Sequence, residues 1–331
     1  MSATMISSRR ERLQRSELAV PATSEHFFQK ARDSAADVIF FDLEDAVAAH
    51  LKEHARMKAI QAINHFDWGN KSIAVRINGL DTCWALRDIV DVATQCPRLD
   101  MILLPKTGTA FDVQFVAHIL TLIEREQNRQ KVIGIELLIE TSLGVTNVEL
   151  IAAASPRLEA MIFGVGDYTV DMFTGDTAFG APSDRYAVLT EAEPDGTRMR
   201  HWNDQWHFAL ARIANACRAH GLRAIDGPFT NFGDPEGYRA SALRSAALGF
   251  EGKWAIHPSQ IGIANEIYSP SDQQLAWARK TCDAVNASIS AGHGAFADDG
   301  VLVDLAHAKL AKAMLQRQTL IARASGTKEL P

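Results

Sequence analysis

The sequence predicts a closed parallel barrel of eight β/α units, a (β/α)8 TIM barrel, followed by a C-terminal helical lid. Three observations predict it. Short apolar runs recur along the chain, helical patterns separate most of them, and each run is followed at once by polar or special residues.

The runs are SELAV from Ser16, DVIFF from Asp37, SIAVRI from Ser72, DMILL from Asp100, VIGIELLI from Val132, EAMIFGV from Glu159, LRAI from Leu222 and GKWAI from Gly252. Each is short, rich in Val, Ile or Phe, and bounded by turn residues, as a buried parallel strand requires. Between them, Val113, Val116, Ile119, Leu120 and Ile123 repeat at helical spacing. His207 to Ala219 and Arg239 to Leu248 read as helices, with Gly221 and Gly249 suited to end them. An open doubly wound sheet is the competing fold if SELAV or LRAI is not a strand. After Pro270 the pattern becomes two helices, residues 271–291 and 304–323, joined by a Gly-rich stretch from Gly292 to Gly300. The expected organisation is therefore an N-terminal arm (1–15), a catalytic barrel (16–270) and a helical lid or oligomerisation segment (271–331).

Composition narrows the function classes. The 331 residues carry a formal net charge of −6, which disfavours general nucleic-acid binding. No apolar run approaches the ~20 residues that cross a membrane. The N-terminus carries Ser7, Ser8, Arg9, Arg10, Arg12 and Arg15 but no apolar core of a secretory signal. Cys83, Cys96, Cys217 and Cys282 form no C-x-x-C pair and read as reduced, which suits a cytoplasmic protein.

In a barrel all eight C-terminal strand ends meet on one rim. The polar residues after the runs would converge there: Pro21, Asp42 to Asp45, Arg76, Lys106, Glu140, Gly166-Asp167, Asp226 and His257. So many carboxylates in one mouth call for a cation. Glu140 and Asp167, from consecutive units, would form a hard oxygen site for Mg2+ or Mn2+. Each equally fits a cap for the helix that follows. Glu44 and Asp45 suit the waters of such a metal, or a helix N-terminus. Arg76 suits a substrate carboxylate, or a salt bridge to Asp42 or Asp45. Lys106 serves the site electrostatically or pairs with an acid. Glu136 is a partner of the metal site or part of a polar layer in the barrel core. His257 reads as packing or chemistry. Trp202 and Trp206 would cover the mouth, line a cofactor groove or make subunit contacts.

Taken together, SELAVPAT, FFDLEDAV, VRING, LLPK, IET, GVGDYT, IDGP and GFEGKWAIHPSQI resemble the citrate lyase β-subunit-like family, from about Ser16 to the C-terminal helices. GKWAIHP, HWNDQWHFA and DGPFTNFGDPEG make the chain similar to the malyl-CoA/β-methylmalyl-CoA lyase branch. The resemblance implies reversible Claisen-type cleavage of malyl-CoA or β-methylmalyl-CoA to glyoxylate and acetyl-CoA or propionyl-CoA. It implies Glu140 and Asp167 as Mg2+ ligands, and Arg76, Gly166 and Asp167 as substrate contacts. Glu44 and Asp45 become supporting catalytic acids, and Pro21 to Lys30 a region facing coenzyme A. It further implies a catalytic aspartate, Asp304, on a lid that acts on a neighbouring subunit of a homotrimer or homohexamer. The alternatives it leaves are an (S)-malyl-CoA thioesterase, a citramalyl-CoA lyase, and a citrate lyase β-type subunit of a larger complex.

Overall fold

The computed structural model describes residues 10–183, 185–290, 294–298 and 300–325. Ser7, Ser8 and Arg9 of the basic N-terminus, Gly292, and the side chain of Trp202 lie outside that description. Two compact units divide between Asn265 and Glu266.

The first unit is the barrel. Its strands are β1 (Ser16–Pro21), β2 (Val38–Asp42), β3 (Ser72–Arg76), β4 (Met101–Leu104), β5 (Gly134–Ile139) and β6 (Leu158–Phe163). A hairpin of β7 (Ala187–Leu189) and β8 (Arg200–Trp202) is inserted before β9 (Arg223–Asp226) and β10 (Gly252–Ala255). The eight strands other than β7 and β8 form the closed parallel barrel, with β1 pairing both β2 and β10. All eight apolar runs are barrel strands, so the open-sheet alternative is excluded. Nearly every barrel-strand residue is buried, because the interior covers one face and helices the other.

The helices of this unit are α1 (Glu25–Asp33), α2 (Lys52–His65), α3 (Ala85–Gln95), α4 (Ala110–Glu126), α5 (Ser142–Thr146), α6 (Val148–Ala152), α7 (Val165–Asp171), α8 (His207–His220), α9 (Pro235–Ala247) and α10 (Ser259–Ile267). Gly221 ends α8 at φ +67°, in the left-handed region that glycine tolerates.

Side chains alternate along each strand, so every second residue faces the barrel axis. Val38, Phe40, Ala74, Met101, Leu103, Leu138, Ala160, Ile162, Ile225 and Trp254 pack there as one cluster, with Ala19 against it. The same parity carries Glu17, Glu136 and Arg223 to the floor below this layer, and Asp42, Arg76 and Glu140 to the mouth above it.

The floor is charged and densely paired, although Glu17 Oε1 and Glu136 Oε2 have no hydrogen bond. Gln14 Nε2 donates to Glu17 (2.9 Å) and Glu136 (2.7 Å), and Gln14 Oε1 accepts from Arg223 (2.8 Å). Arg12 bonds Glu159, Asp100 and Ser72, and Arg223 reaches Glu159 at 3.2 Å. Glu159 sits where the β5–β6 register shifts. The segment expected as an arm thus closes the barrel floor from Arg10 onward. At Gly252 a Cβ would fall 1.8 Å from the Gln14 carbonyl, so the passing segment admits only glycine there. Glu136 belongs to this core polar layer, one of the two roles the sequence allowed it.

The second unit contains α11 (Asp272–Ser290), β11 (Ala295–Asp298), β12 (Val301–Asp304) and α12 (Leu305–Ala324). The two expected helices are present. Between them, where a Gly-rich linker was expected, β11 and β12 pair as antiparallel strands, and Gly300 before β12 has φ +80°. Val285, Val303 and Ala308 make its small core.

Candidate active site

The mouth is built on Asp42 and Arg76, opposite each other in the β2–β3 register. Arg76 donates through Nε to Asp42 Oδ1 (2.7 Å) and through Nη2 to Oδ2 (2.6 Å). Its remaining edge, Nη1, lies 3.1 Å from Glu44 Oε2 and 3.7 Å from Asp45 Oδ2. Below, the guanidinium rests over Trp254 and Phe40, 5.6 and 6.0 Å from the ring centres. Burial opposes its charge, but Asp42, then Glu44 and Glu140, outweigh burial and hold its pKa above the ordinary arginine value. Asp42 is correspondingly low. Burial would raise it, and Arg76 together with the backbone N–H groups of Glu44 and Ala46 more than reverses that. Sequence reasoning offered Arg76 either a substrate or a salt bridge. The salt bridge is present, and Nη1 is the edge turned to the rim acids.

Lys52 fixes the loop after β2 by donating to the carbonyls of Leu43 (2.9 Å) and Glu44 (2.6 Å). The Glu44 side chain is thereby buried at the mouth. Its Oε1 accepts from Lys106 Nζ at 2.8 Å. Its Oε2 has no hydrogen bond, because the 3.1 Å approach of Arg76 Nη1 lacks the required alignment. Burial is the main reason its pKa is raised.

Glu140 follows β5 directly and is 3% exposed. The Lys106 backbone N–H donates to its Oε1 at 2.7 Å. Burial first, then the nearby Glu44 carboxylate, pushes its pKa up to about 8; Arg76 partly counters this and Asp167 adds to it. Gly164 lets Glu140 sit there: a Cβ at 164 would lie 2.4 Å from Glu140 Cβ and 2.5 Å from Oε2. Glu140 is not a helix cap. Thr141 caps α5, accepting from the Gly144 N–H at 3.0 Å. Asp167 lies in the first turn of α7 rather than at the strand end, and its Oδ2 is 3.7 Å from Lys106 Nζ.

The structure therefore gathers Glu44, Asp45, Arg76, Lys106, Glu140 and Asp167 around one mouth. The acidic groups offer only oxygens, one of them buried without a hydrogen bond, and Glu140 is a buried acid whose pKa stays raised although Arg76 is near. That set fits a hard divalent ion held by Glu140 and Asp167. Among the described residues no three His, Cys, Asp or Glu groups close on a single point. A pair of carboxylates completed by water and substrate oxygens is the pattern Mg2+ favours.

The other expected residues are more scattered. Pro21 ends β1, and Lys30 is exposed on α1, which runs away from the mouth. Gly166 lies in the first turn of α7 beside the Phe179 ring. In the second unit Asp304 caps α12, accepting from the backbone N–H groups of Ala306 (2.9 Å) and His307 (3.3 Å), and lies 2.8 Å from His307 Nδ1. Trp206 is part of the packed interior of the barrel unit. It is 4% exposed and packs on Tyr168 and Phe163 within the barrel unit. His257 stacks on Phe232. Two features escaped sequence reasoning. Asp42 was expected at the rim and as one possible partner for Arg76, but not as the fork that fixes the guanidinium through two hydrogen bonds. The backbone of Lys106, at φ +50°, carries no sequence signal.

A (β/α)8 barrel with an acid-lined mouth defines the class of protein. Residues 15–258 match the family model described as HpcH/HpaI aldolase/citrate lyase, and the chain belongs to that family. It is 46% identical over 308 residues (93% of this chain, 95% of the relative) to the L-malyl-CoA/beta-methylmalyl-CoA lyase of Cereibacter sphaeroides. It is 34% identical, over the same shares of both chains, to a (3S)-malyl-CoA thioesterase of that organism. Among solved structures, the protein CitE from Mycobacterium tuberculosis in complex with magnesium, acetoacetate and coenzyme A aligns with a TM-score of 0.70 and 29% identity. That alignment covers 94% of this chain and 99% of CitE. None of the described helices is long and apolar enough to cross a membrane.

Proposed function

We propose that the chain is a Mg2+-dependent carbon–carbon lyase acting on malyl-CoA, β-methylmalyl-CoA or both, releasing glyoxylate and acetyl-CoA or propionyl-CoA. The observation that carries this is Glu140, a buried carboxyl close to Glu44 and Asp167 and to Arg76, whose Nη1 edge is turned to the rim acids. The relatives' names supply the substrate class.

Glu140 and Asp167 would hold the ion, with Mn2+ as a substitute. When bound, the ion supplies a Lewis acid for the oxygens of the α-hydroxy acid and the aldehyde that forms from them. Arg76 Nη1 orients the substrate carboxylate while Asp42 keeps the guanidinium in plane. Glu44, through the oxygen that lacks a hydrogen bond, takes the substrate hydroxyl proton, and Asp45 supports its charge distribution. The carbon–carbon bond breaks, the new carbonyl is glyoxylate, and the electron pair passes to the thioester as its enolate. Asp304, contributed by the lid of a neighbouring copy in a homotrimer or homohexamer, delivers the proton that makes acetyl-CoA. In the reverse direction it removes that proton. Pro21 to Lys30 faces coenzyme A, with Lys30 meeting a phosphate.

The test is incubation of the purified protein with Mg2+ and malyl-CoA. Glyoxylate with acetyl-CoA is expected. Malate with free coenzyme A would instead make it a thioesterase, the reading the 34% identical relative favours. Full activity in EDTA would remove the metal site.

A further inference from the structure

We propose that Lys106 is a built-in stand-in for the divalent cation: in the metal-free protein its ammonium holds the rim carboxylates together, and it must swing out for metal to bind. This rests on the metal-site reading above.

One residue addresses four acids. Lys106 Nζ lies 2.8 Å from Glu44 Oε1, 3.7 Å from Asp167 Oδ2 and 3.8 Å from Asp45 Oδ1. Its backbone N–H donates to the fourth, Glu140 Oε1, at 2.7 Å. The backbone is bent to do so, since φ +50° is a left-handed conformation that costs a lysine about 1 kcal/mol. The strain sits where the N–H meets a buried carboxyl that has little other compensation.

Arg76 and Lys106, the cations paired with the rim acids' side chains, differ in their freedom to leave. Arg76 is buried, forked onto Asp42 and stacked on two rings. The Lys106 side chain is 38% exposed, and its ammonium is a point charge on four rotatable carbons with no fork to satisfy. Lys106 is therefore the exchangeable one. A divalent ion arriving among the same acids replaces one positive charge with two and repels the ammonium. Apparent metal affinity is then lowered by the fraction of molecules in which the lysine occupies the acids.

Two variants separate charge from backbone. Lys106→Met keeps the stem and removes the charge, and Lys106→Asn removes the charge with a residue that accepts positive φ. Calorimetric Mg2+ titration and thermal melting in EDTA are the readouts. Both variants are expected to bind Mg2+ about tenfold more tightly than wild type and to melt lower in EDTA. A wild type that binds Mg2+ with variants unchanged within about twofold, or weaker, overturns the proposal and leaves the metal site standing. A wild type with no Mg2+ binding overturns both. A measurement on the wild type alone covers the case of unstable variants. Acetylation of Lys106, followed by mass spectrometry, is expected to speed up on saturation with Mg2+. An unchanged or slower rate overturns the exchange.

Discussion

The floor and the mouth of the barrel are both rich in buried charge, but they differ in the ratio of cations to acids. At the floor, Glu17, Glu136, Glu159 and Asp100 meet Arg10, Arg12, Arg98, Lys131 and Arg223, with Gln14 bridging what remains. Asp100 is pushed down to about 2; burial would raise it, and Lys131 and Arg12 prevail. At the mouth, Asp42, Glu44, Asp45, Glu140 and Asp167 meet Arg76, Lys106 and Lys52, and Lys52 spends its hydrogen bonds on backbone carbonyls. Glu140 is pushed up to about 8, chiefly by burial. The floor has more cations than acids yet leaves Glu17 Oε1 and Glu136 Oε2 without a hydrogen bond, both fully buried. The mouth has more acids than cations and is open to solvent through Asp45, Lys106 and Asp167, so its demand for positive charge is one that a ligand can meet.

The sharpest way to break the contrast is Glu140→Gln. It should cost activity about a thousandfold, the several kcal/mol a lost metal ligand withdraws from the transition state. The fold should survive at pH 7, because glutamine imitates the protonated acid that a value of about 8 implies. Steady-state glyoxylate release beside circular dichroism checks both halves. Substantial activity would mean Glu140 is not a ligand.

The floor should answer the other way. Arg223→Leu leaves Glu136 and Glu159 buried without their shared cation and should cost about 3–5 kcal/mol in urea unfolding. Activity per folded molecule should be unchanged. A stable variant with poor turnover would erase the distinction between the two ends.

Glu17 supplies a pH test. Burial, then the Glu136 charge, raises its pKa well above 4.5, so the folded protein keeps a proton that the unfolded chain gives up. This group's full contribution is present below about pH 4.5, and stability falls as pH rises toward the folded value. The slope reaches at most about 1.4 kcal/mol per pH unit. Glu17→Gln should flatten it in denaturation curves taken from pH 5 upward; an unaltered slope would mean the proton is held elsewhere.

The smallest expected effect is Thr141→Ala. Loss of the α5 cap should cost about 1 kcal/mol in thermal unfolding while Mg2+ affinity stays within about twofold. A large loss of affinity would show that Thr141 positions Glu140.

Much of this was legible before any coordinates. The β-branched and aromatic runs declared eight buried parallel strands, because a strand covered on both faces has to be apolar throughout. The barrel then carried Glu44, Arg76, Glu140 and Asp167 to one rim, because strand ends meet there whatever their distance in sequence. The inserted hairpin of β7 and β8 and the β11–β12 hairpin were not legible. Their strands are three or four residues long, too short to show alternation. Tertiary structure alone decided the charge balance. Whether a carboxylate is satisfied depends on which cations reach it through space, and Arg12, Gln14 and Arg223 reach the floor from opposite ends of the chain. It likewise decided that Trp206 packs inward and that Lys106 bends to φ +50°, since both follow from neighbours distant in sequence. Local patterning determined where the acids would gather; only the packed barrel determined which of them lacked a partner.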